Sequence, residues 1–249
     1  MDQPHPIATK RPALSVVAPM HNEAGGAAQL VAEIAAALEN TDHEIIIVDD
    51  ASSDETLREL SEATDKFPQL RIIRHERNAG QSRALRSGVL AARGSVVVML
   101  DGDGQNDPAD IPLLFDKYDQ THAAMVAGER RARQDSSAKK LASRFANGVR
   151  RRLLRDGATD TGCGLKLFHR DAFLRLPYFD HMHRYLPALM RREGFEVVFV
   201  PVSHRARAHG KSKYSNLGRL MVAFRDILGV LWLLARAKSP GNVSEEPRK

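Results

Sequence analysis

Residues 96–107 read "VVVMLDGDGQND": an apolar run, then carboxylates at Asp101 and Asp103, with Gln105 and Asn106 behind them. A β-branched run without a polar interruption describes a strand covered on both faces. Runs of the same kind precede it at 14–18 ("LSVVA"), 44–50 ("EIIIVDD") and 70–75 ("LRIIRH"), and one follows at 123–128 ("AAMVAG"). Helix-length segments lie between them. In 27–38, Leu30, Ile34 and Leu38 recur at a spacing of four, and 54–66 turns Leu57 and Leu60 inward. Further helices are expected near 81–92 and 110–118. Apolar strands alternating with helices specify an α/β domain, a mostly parallel central sheet with helices on both faces in Rossmann-like layering.

The second half is less regular. Residues 138–155 carry Leu141, Phe145, Val149 and Leu153 on one helical stripe among lysines and arginines. A turn-rich segment, "DGATDTGCGLKLF" (156–168), leads to another strand at 195–202. No internal repeat is visible. Residues 1–12 and 238–249 are polar and read as disordered. They bracket a globular domain over 13–216 and an apolar, amphipathic helix over 217–237.

The chain of 249 residues is 43% hydrophobic and 27% charged, the balance of a water-soluble globular protein with an ordinary core. Its formal charge of +6 is concentrated at 130–155 and 204–213. Such basic stretches suit phosphate-bearing partners: a nucleotide, a nucleic acid or an anionic lipid. Cys163 is the single cysteine, so no intrachain disulfide can form and a reducing compartment is expected. The first residues lack the apolar core of a signal peptide, and the run 227–235 is too short to cross a bilayer. The expected location is cytoplasmic, peripheral to a membrane.

In open parallel sheets, ligands bind beyond the carboxyl ends of the strands. Acid-bearing clusters fall there: "PMHNE" (19–23), "DDASSDET" (49–56) and "DGDGQ" (101–105). Helix capping accounts for some of these acids, such as Asp54. It does not account for acids at three strand ends. A dinucleotide loop is excluded, since no G-x-G-x-x-G follows the first strand, and no P-loop pattern is present. A calcium loop starting at Asp101 fails, with Asn106 where glycine is needed and Pro112 where a bidentate glutamate belongs. A hard-cation site remains: Asp101 and Asp103, with Gln105 as a third oxygen ligand, suit magnesium or manganese shared with a substrate pyrophosphate.

The blocks "SVVAPMHNE", "IIIVDDASSDET", "NAGQSRALRSG", "MLDGDGQNDP", "AGER", "TDTGCGLKLF" and "HGKSKY" stand in the order found in family 2 glycosyltransferases. From Leu14 to Trp232 the chain resembles the dolichol-phosphate mannosyltransferase-like, or polyprenyl-phosphate glycosyltransferase, branch. That resemblance implies a single GT-A domain, a nucleotide-sugar donor, Mg²⁺ or Mn²⁺, a polyprenyl-phosphate acceptor and inversion at the anomeric carbon. It implies that Pro19, Asn22, Glu23, Asp49 and Asp50 line the nucleoside pocket. Asp101, Asp103 and Gln105 would hold metal and diphosphate. Arg130 would face the sugar or acceptor phosphate, with Glu129 replacing the family's serine and altering the local charge balance. Lys139 and Ser143 correspond to an acceptor-phosphate pair, lysine standing for arginine, and Arg205, Lys211 and Lys213 would clamp phosphates from the far side. Many relatives of this kind continue into transmembrane helices.

A phosphate acceptor has a second pKa of about 6 and arrives largely ionised, so no strong general base is needed. His204 and His209 accordingly read as structural or phosphate-contacting. The basic helix 138–155 is either an ordinary surface helix or one lying on anionic lipid. The apolar stretch 227–235, with Trp232, is either a membrane anchor or a subunit contact in a homo-oligomer. Rival functions are transfer to a glycan hydroxyl, which would require a carboxylate base, and a nucleic-acid-binding module. The latter is disfavoured by 6% aromatic content and the lack of an RNA-recognition or zinc pattern.

Overall fold

A computed structural model describes residues 12–130, 152–154, 156–160, 162–206 and 216–238. Seven strands form one sheet: β1 (Leu14–Met20), β2 (His43–Asp49), β3 (Leu70–Arg74), β4 (Val96–Met99), β5 (Met125–Arg130), β6 (Lys166–His169) and β7 (Val197–Val202). Their order is β3-β2-β1-β4-β6-β5-β7. All pairings are parallel except those of β6, which runs antiparallel to β4 and β5. The helices are α1 (Ala27–Ala37), α2 (Thr56–Ala63), α3 (Gln81–Ala91), α4 (Ile111–Thr121), α5 (Arg170–Arg175), α6 (Leu186–Arg192) and α7 (Asn216–Ala235).

Alternation along each strand sorts the core into two layers, because successive side chains point to opposite faces. Ile45 and Ile47 of β2 join Val16 and Val98 beneath Leu30, Ile34 and Leu60 of α1 and α2. Ile46 and Val48 join Val17, Val97 and Met99 beneath Leu85 and Val89 of α3, Phe173 of α5 and Leu189 of α6. The Phe168 and Phe173 rings stack with centroids 4.9 Å apart. Covering both faces is what permits "IIIV" without a polar residue.

The first half follows the expected strand and helix order, with boundaries shifted by a few residues. The second half adds what the pattern did not expose. Residues 166–169, expected in a turn-rich segment, are β6, with Leu167 paired to Val98 on one side and Val126 on the other. A strand of four residues gives too short a pattern to announce itself, and its place between β4 and β5 comes from tertiary pairing. The strand expected at 123–128 runs from Met125 to Arg130, which carries Glu129 and Arg130 into the sheet. Of the basic helix expected at 138–155, only 152–154 are described, and they are helical. Lys139, Ser143, Lys211, Lys213 and nearly all of both chain ends lie outside the described residues.

Candidate active site

The carboxyl ends of β1, β2 and β4 open into a cleft of about 240 Å³ bordered by Pro19, Glu23, Asp50, Gln81, Asp101 and Asp103. The sheet order places these strand ends side by side, since β1 lies between β2 and β4. Gly102 allows β4 to close on β1: a Cβ there would sit 2.5 Å from the Pro19 carbonyl oxygen. Gly164 does the same for the loop before β6, where a Cβ would fall 2.3 Å from Asp101 Oδ2. Both approaches are closer than any side chain tolerates.

Asp101 is held from two directions. Gln81 Nε2, at the start of α3, donates to its Oδ1 at 2.6 Å. Its backbone amide donates to Asn106 Oδ1 at 3.0 Å. Burial raises the Asp101 pKa and the nearby Asp103 charge raises it further, against opposing effects of Lys166, the Gln81 hydrogen bond and Arg130. Asp103 Oδ1 accepts from the Gln105 amide at 3.2 Å. A buried carboxylate whose ionisation is opposed by burial and by a neighbouring acid forms a setting that a divalent cation relieves. Hard oxygen donors on adjacent loop positions fit magnesium or manganese. Among the described residues no group of three or more His, Cys, Asp or Glu converges on one point. The protein would therefore supply part of a coordination shell, leaving positions for substrate oxygens. Gln105 is not among the residues bordering the cleft. Its backbone is committed instead, accepting from the Arg205 amide at 3.0 Å.

The residues expected in the nucleoside pocket divide into a surface and its support. Pro19, Glu23 and Asp50 border the cleft. Asp50 is also a structural hub, accepting from the Ala79 and Gly80 amides at 2.9 and 2.8 Å and pairing with His75 at 2.7 Å. Asn22 and Asp49 do not border it. Asn22 adopts φ 56°, a left-handed conformation that asparagine tolerates, and its Oδ1 accepts from the Ser53 amide at 2.8 Å. Asp49 is fully buried and accepts from the Ser52 amide at 3.1 Å. Ala51, just after Asp50, is held at φ 58°, a strained conformation for a residue that carries a Cβ and has no polar side chain to compensate.

The arginines are paired with carboxylates of the protein. Arg130 does not stand free at the end of β5: its Nε and a terminal nitrogen donate to Asp160 at 2.5 and 2.7 Å, in a largely buried fork. The Asp160 hydrogen bond raises the Arg130 pKa, burial opposes it, and the charge stays fixed. Glu129, the departure from the family pattern, fastens the same loop by accepting from the Thr159 amide and hydroxyl at 2.9 and 2.6 Å. Arg205, expected to clamp a phosphate, spends its guanidinium on protein. It grips Asp107 at 3.1 and 2.7 Å and Glu33 at 2.5 Å, tying the end of β7 to the loop after β4 and to α1.

Three contributors escaped the sequence reading. Gln81 and Asp160 lie within quoted blocks but carry no metal- or phosphate-binding spacing of their own. Lys166 is buried in β6, and its ammonium donates to the Cys163 carbonyl. Burial lowers the Lys166 pKa, while Cys163, Asp101 and Asp160 support its charged form. His204 presents a buried Nδ1 without a hydrogen-bond partner. Burial and Arg130 lower its pKa, against the carboxylates of Asp160 and Asp103.

The sequence model of Glycosyl transferase family 2 matches residues 15–176, the span that holds β1 to β6 and the cleft. The chain belongs to glycosyl transferase family 2. It is 33% identical over 235 residues to the dodecaprenyl-phosphate galacturonate synthase of Rhizobium johnstonii, covering 92% of this chain and 69% of that protein. Over 222 residues it is 33% identical to the undecaprenyl-phosphate 4-deoxy-4-formamido-L-arabinose transferase of Edwardsiella ictaluri, covering 88% and 67%. The glucosyl-3-phosphoglycerate synthase of Mycobacterium tuberculosis, solved with Mn²⁺, UDP and glucosyl-3-phosphoglycerate, superposes with a TM-score of 0.68 at 18% identity over 92% of this chain and 82% of that one. A mannosyltransferase from Pyrobaculum calidifontis, solved with GDP-Man and Mn²⁺, gives 0.64 at 19% identity over 93% and 66%. The fold is the GT-A fold, and this family 2 member is a glycosyltransferase. Divalent metal accompanies the nucleotide in those solved neighbours.

Proposed function

We propose that this enzyme transfers a sugar, with inversion, from a GDP- or UDP-sugar to a polyprenyl phosphate. The observation that carries the reading is the Asp101–Asp103 pair at the end of β4, in a cleft formed by three parallel strand ends. The names of the two relatives that are 33% identical support the acceptor class. Glu23 and Asp50 would border the nucleoside, with Pro19 beneath it, while Asn22 and Asp49 hold the two loops in register. Asp101 and Asp103 would hold Mg²⁺ or Mn²⁺, and Gln81 fixes the Asp101 carboxylate. When bound, the ion neutralises charge developing on the leaving diphosphate.

The acceptor phosphate oxygen is the nucleophile. It attacks the anomeric carbon as the bond to the nucleoside diphosphate breaks, and the electron pair leaves with the diphosphate. No proton has to be removed at neutral pH. Arg130, pinned by Asp160, contributes a fixed positive charge beside the cleft. Lys139, Ser143, Lys211 and Lys213 are proposed as the acceptor-phosphate set. With a lipid acceptor, the protein works as a peripheral partner of an anionic membrane on its cytoplasmic face.

A transfer assay tests the reading, offering a panel of UDP- and GDP-sugars with a short-chain polyprenyl phosphate, with Mg²⁺ or Mn²⁺ and with excess EDTA. Metal-dependent formation of a polyprenyl-phosphate sugar is expected. Transfer to a glycan hydroxyl, with none to the phosphate, would replace the acceptor assignment.

A further inference from the structure

Helix α7 is apolar on two faces. Val230 is fully buried, and Ile227, Leu231, Leu233 and Leu234 pack against the core beneath α3, α5 and α6. That is the ordinary amphipathic stripe. Among the described residues the second apolar face has no such cover. Phe224, Leu228 and Trp232 are 62%, 51% and 60% exposed and follow one another at a spacing of four, forming a continuous ridge. Leu231 and Leu233, within the apolar stretch 227–235, belong largely to the inner stripe.

Basic side chains rim the ridge. Arg225, Arg236 and Lys238 are exposed. Arg236 lies 5.8 Å from the centre of the Trp232 ring. Asp226, the one acid in residues 222–238, is 16% exposed and pairs with His181 at 3.2 Å. Beside the ridge a largely apolar cleft of about 330 Å³ is bordered by Tyr178, Phe179, Arg225, Asp226 and Trp232.

This face adjoins the donor cleft. Arg83 of α3 stacks over the Tyr178 ring at 3.8 Å, two residues beyond the Gln81 that holds Asp101. A Cβ on Gly80, which borders the donor cleft, would lie 3.6 Å from Asp180 Oδ1.

We propose that the Phe224–Leu228–Trp232 ridge of α7 is the surface on which this enzyme docks on an anionic bilayer, seated at the boundary between headgroups and acyl chains. The inference rests on the lipid acceptor proposed above. An aromatic–aliphatic ridge rimmed by arginine and lysine fits that boundary, where indole is favoured and cations meet lipid phosphates. No helix among the described residues is long and apolar enough to cross a membrane, so α7 would lie along the surface.

Trp232 is the only tryptophan in the chain and reports its own environment. With vesicles of phosphatidylcholine and phosphatidylglycerol in equal parts, its emission should shift to shorter wavelength. Lipids brominated near the top of the acyl chain should quench it. Leu228→Glu and Phe224→Glu, both at exposed positions, should each weaken vesicle binding roughly tenfold or more, through loss of one large buried side chain. Both variants should keep wild-type transfer to a water-soluble short-chain prenyl phosphate while losing transfer to a long-chain acceptor embedded in vesicles. Trp232 emission unchanged by vesicles at low salt overturns the proposal. So does a lipid-free dimer in sedimentation that dissociates in Leu228→Glu, which would assign the ridge to a second copy. If wild type transfers to no prenyl phosphate yet Trp232 is quenched by brominated lipid, the docking surface stands and the acceptor assignment falls.

Discussion

Asp50 at the end of β2 has its oxygens engaged by the amides of Ala79 and Gly80 and by His75, whereas Asp160, before β6, is gripped by the guanidinium of Arg130. The contrast extends across the sheet. On the β1–β3 side, Asp49 and Asp54 also accept from backbone amides, of Ser52, Ala24 and Thr56. Arg205, after β7, in turn satisfies Asp107 of the loop after β4 and Glu33 of α1. Amide donors come with the loop geometry and cost no long side chain its freedom. Arginine clamps span 30 residues in one case and 98 and 172 in the other, and they join segments that no local signal connects. The Asp50 and Asp54 bonds also reach 29–30 residues along the chain, so the two sides differ in the kind of donor, backbone amide against guanidinium, more than in range.

The largest effect should fall where this contrast meets the chemistry. Asp103→Asn removes a charge from the cleft without touching the core. Transfer should fall by about 10²-fold or more, comparable to losing a preorganised electrostatic partner. Thermal unfolding should stay within a few degrees of wild type. Initial rates at saturating metal, with calorimetry, check both halves of the expectation, and near-normal turnover would remove Asp103 from the site.

Gly164→Ala probes the closure of the far loop onto the near one. The added methyl meets the Asp101 carboxylate at 2.3 Å, so the loop must shift. Overpacking of this kind costs about 1–3 kcal/mol. A lowered denaturation midpoint with reduced metal-dependent activity is the expected pair of changes.

The seam between the two sides carries a pH dependence. His183, in the loop before α6, is buried and shares a 2.7 Å hydrogen bond with Ser82 of α3. Burial holds its pKa well below the ordinary 6.5, followed by the charges of Arg184, Lys166 and His181. The unfolded chain therefore binds a proton near pH 6.5 that the folded protein refuses, and stability declines as pH falls below that value. The slope for one proton is at most about 1.4 kcal/mol per pH unit. Urea midpoints between pH 7 and pH 5 should follow it, and His183→Gln should flatten the profile.

The smallest effect distinguishes a clamp from a phosphate ligand. The Arg205–Glu33 and Arg205–Asp107 pairs are partly exposed, so Arg205→Ala should cost only about 0.5–1 kcal/mol. A midpoint shift of that size, with the acceptor KM unchanged, keeps Arg205 as a clamp. A tenfold rise in acceptor KM at unchanged stability would restore it to the phosphate site.

The amino-acid sequence by itself determined the layered α/β architecture, because uninterrupted apolar strands of β-branched residues have to be covered on both faces. It also placed the acids at strand ends, since a strand's end is where its apolar run stops. The acid-bearing clusters at 19–23, 49–56 and 101–105 were legible on those grounds. The tertiary structure decided what spacing cannot carry. It inserted Lys166–His169 as an antiparallel strand and gave Gln81 to Asp101 across 20 residues. It gave Arg130 and Arg205 the partners Asp160, Asp107 and Glu33, which spacing does not announce. It divided the apolar side chains of α7 between a buried stripe and an exposed ridge. The physical reason is range: backbone periodicity and turn chemistry are local, whereas a side chain's partner is whichever opposite charge or apolar surface the completed sheet brings within reach.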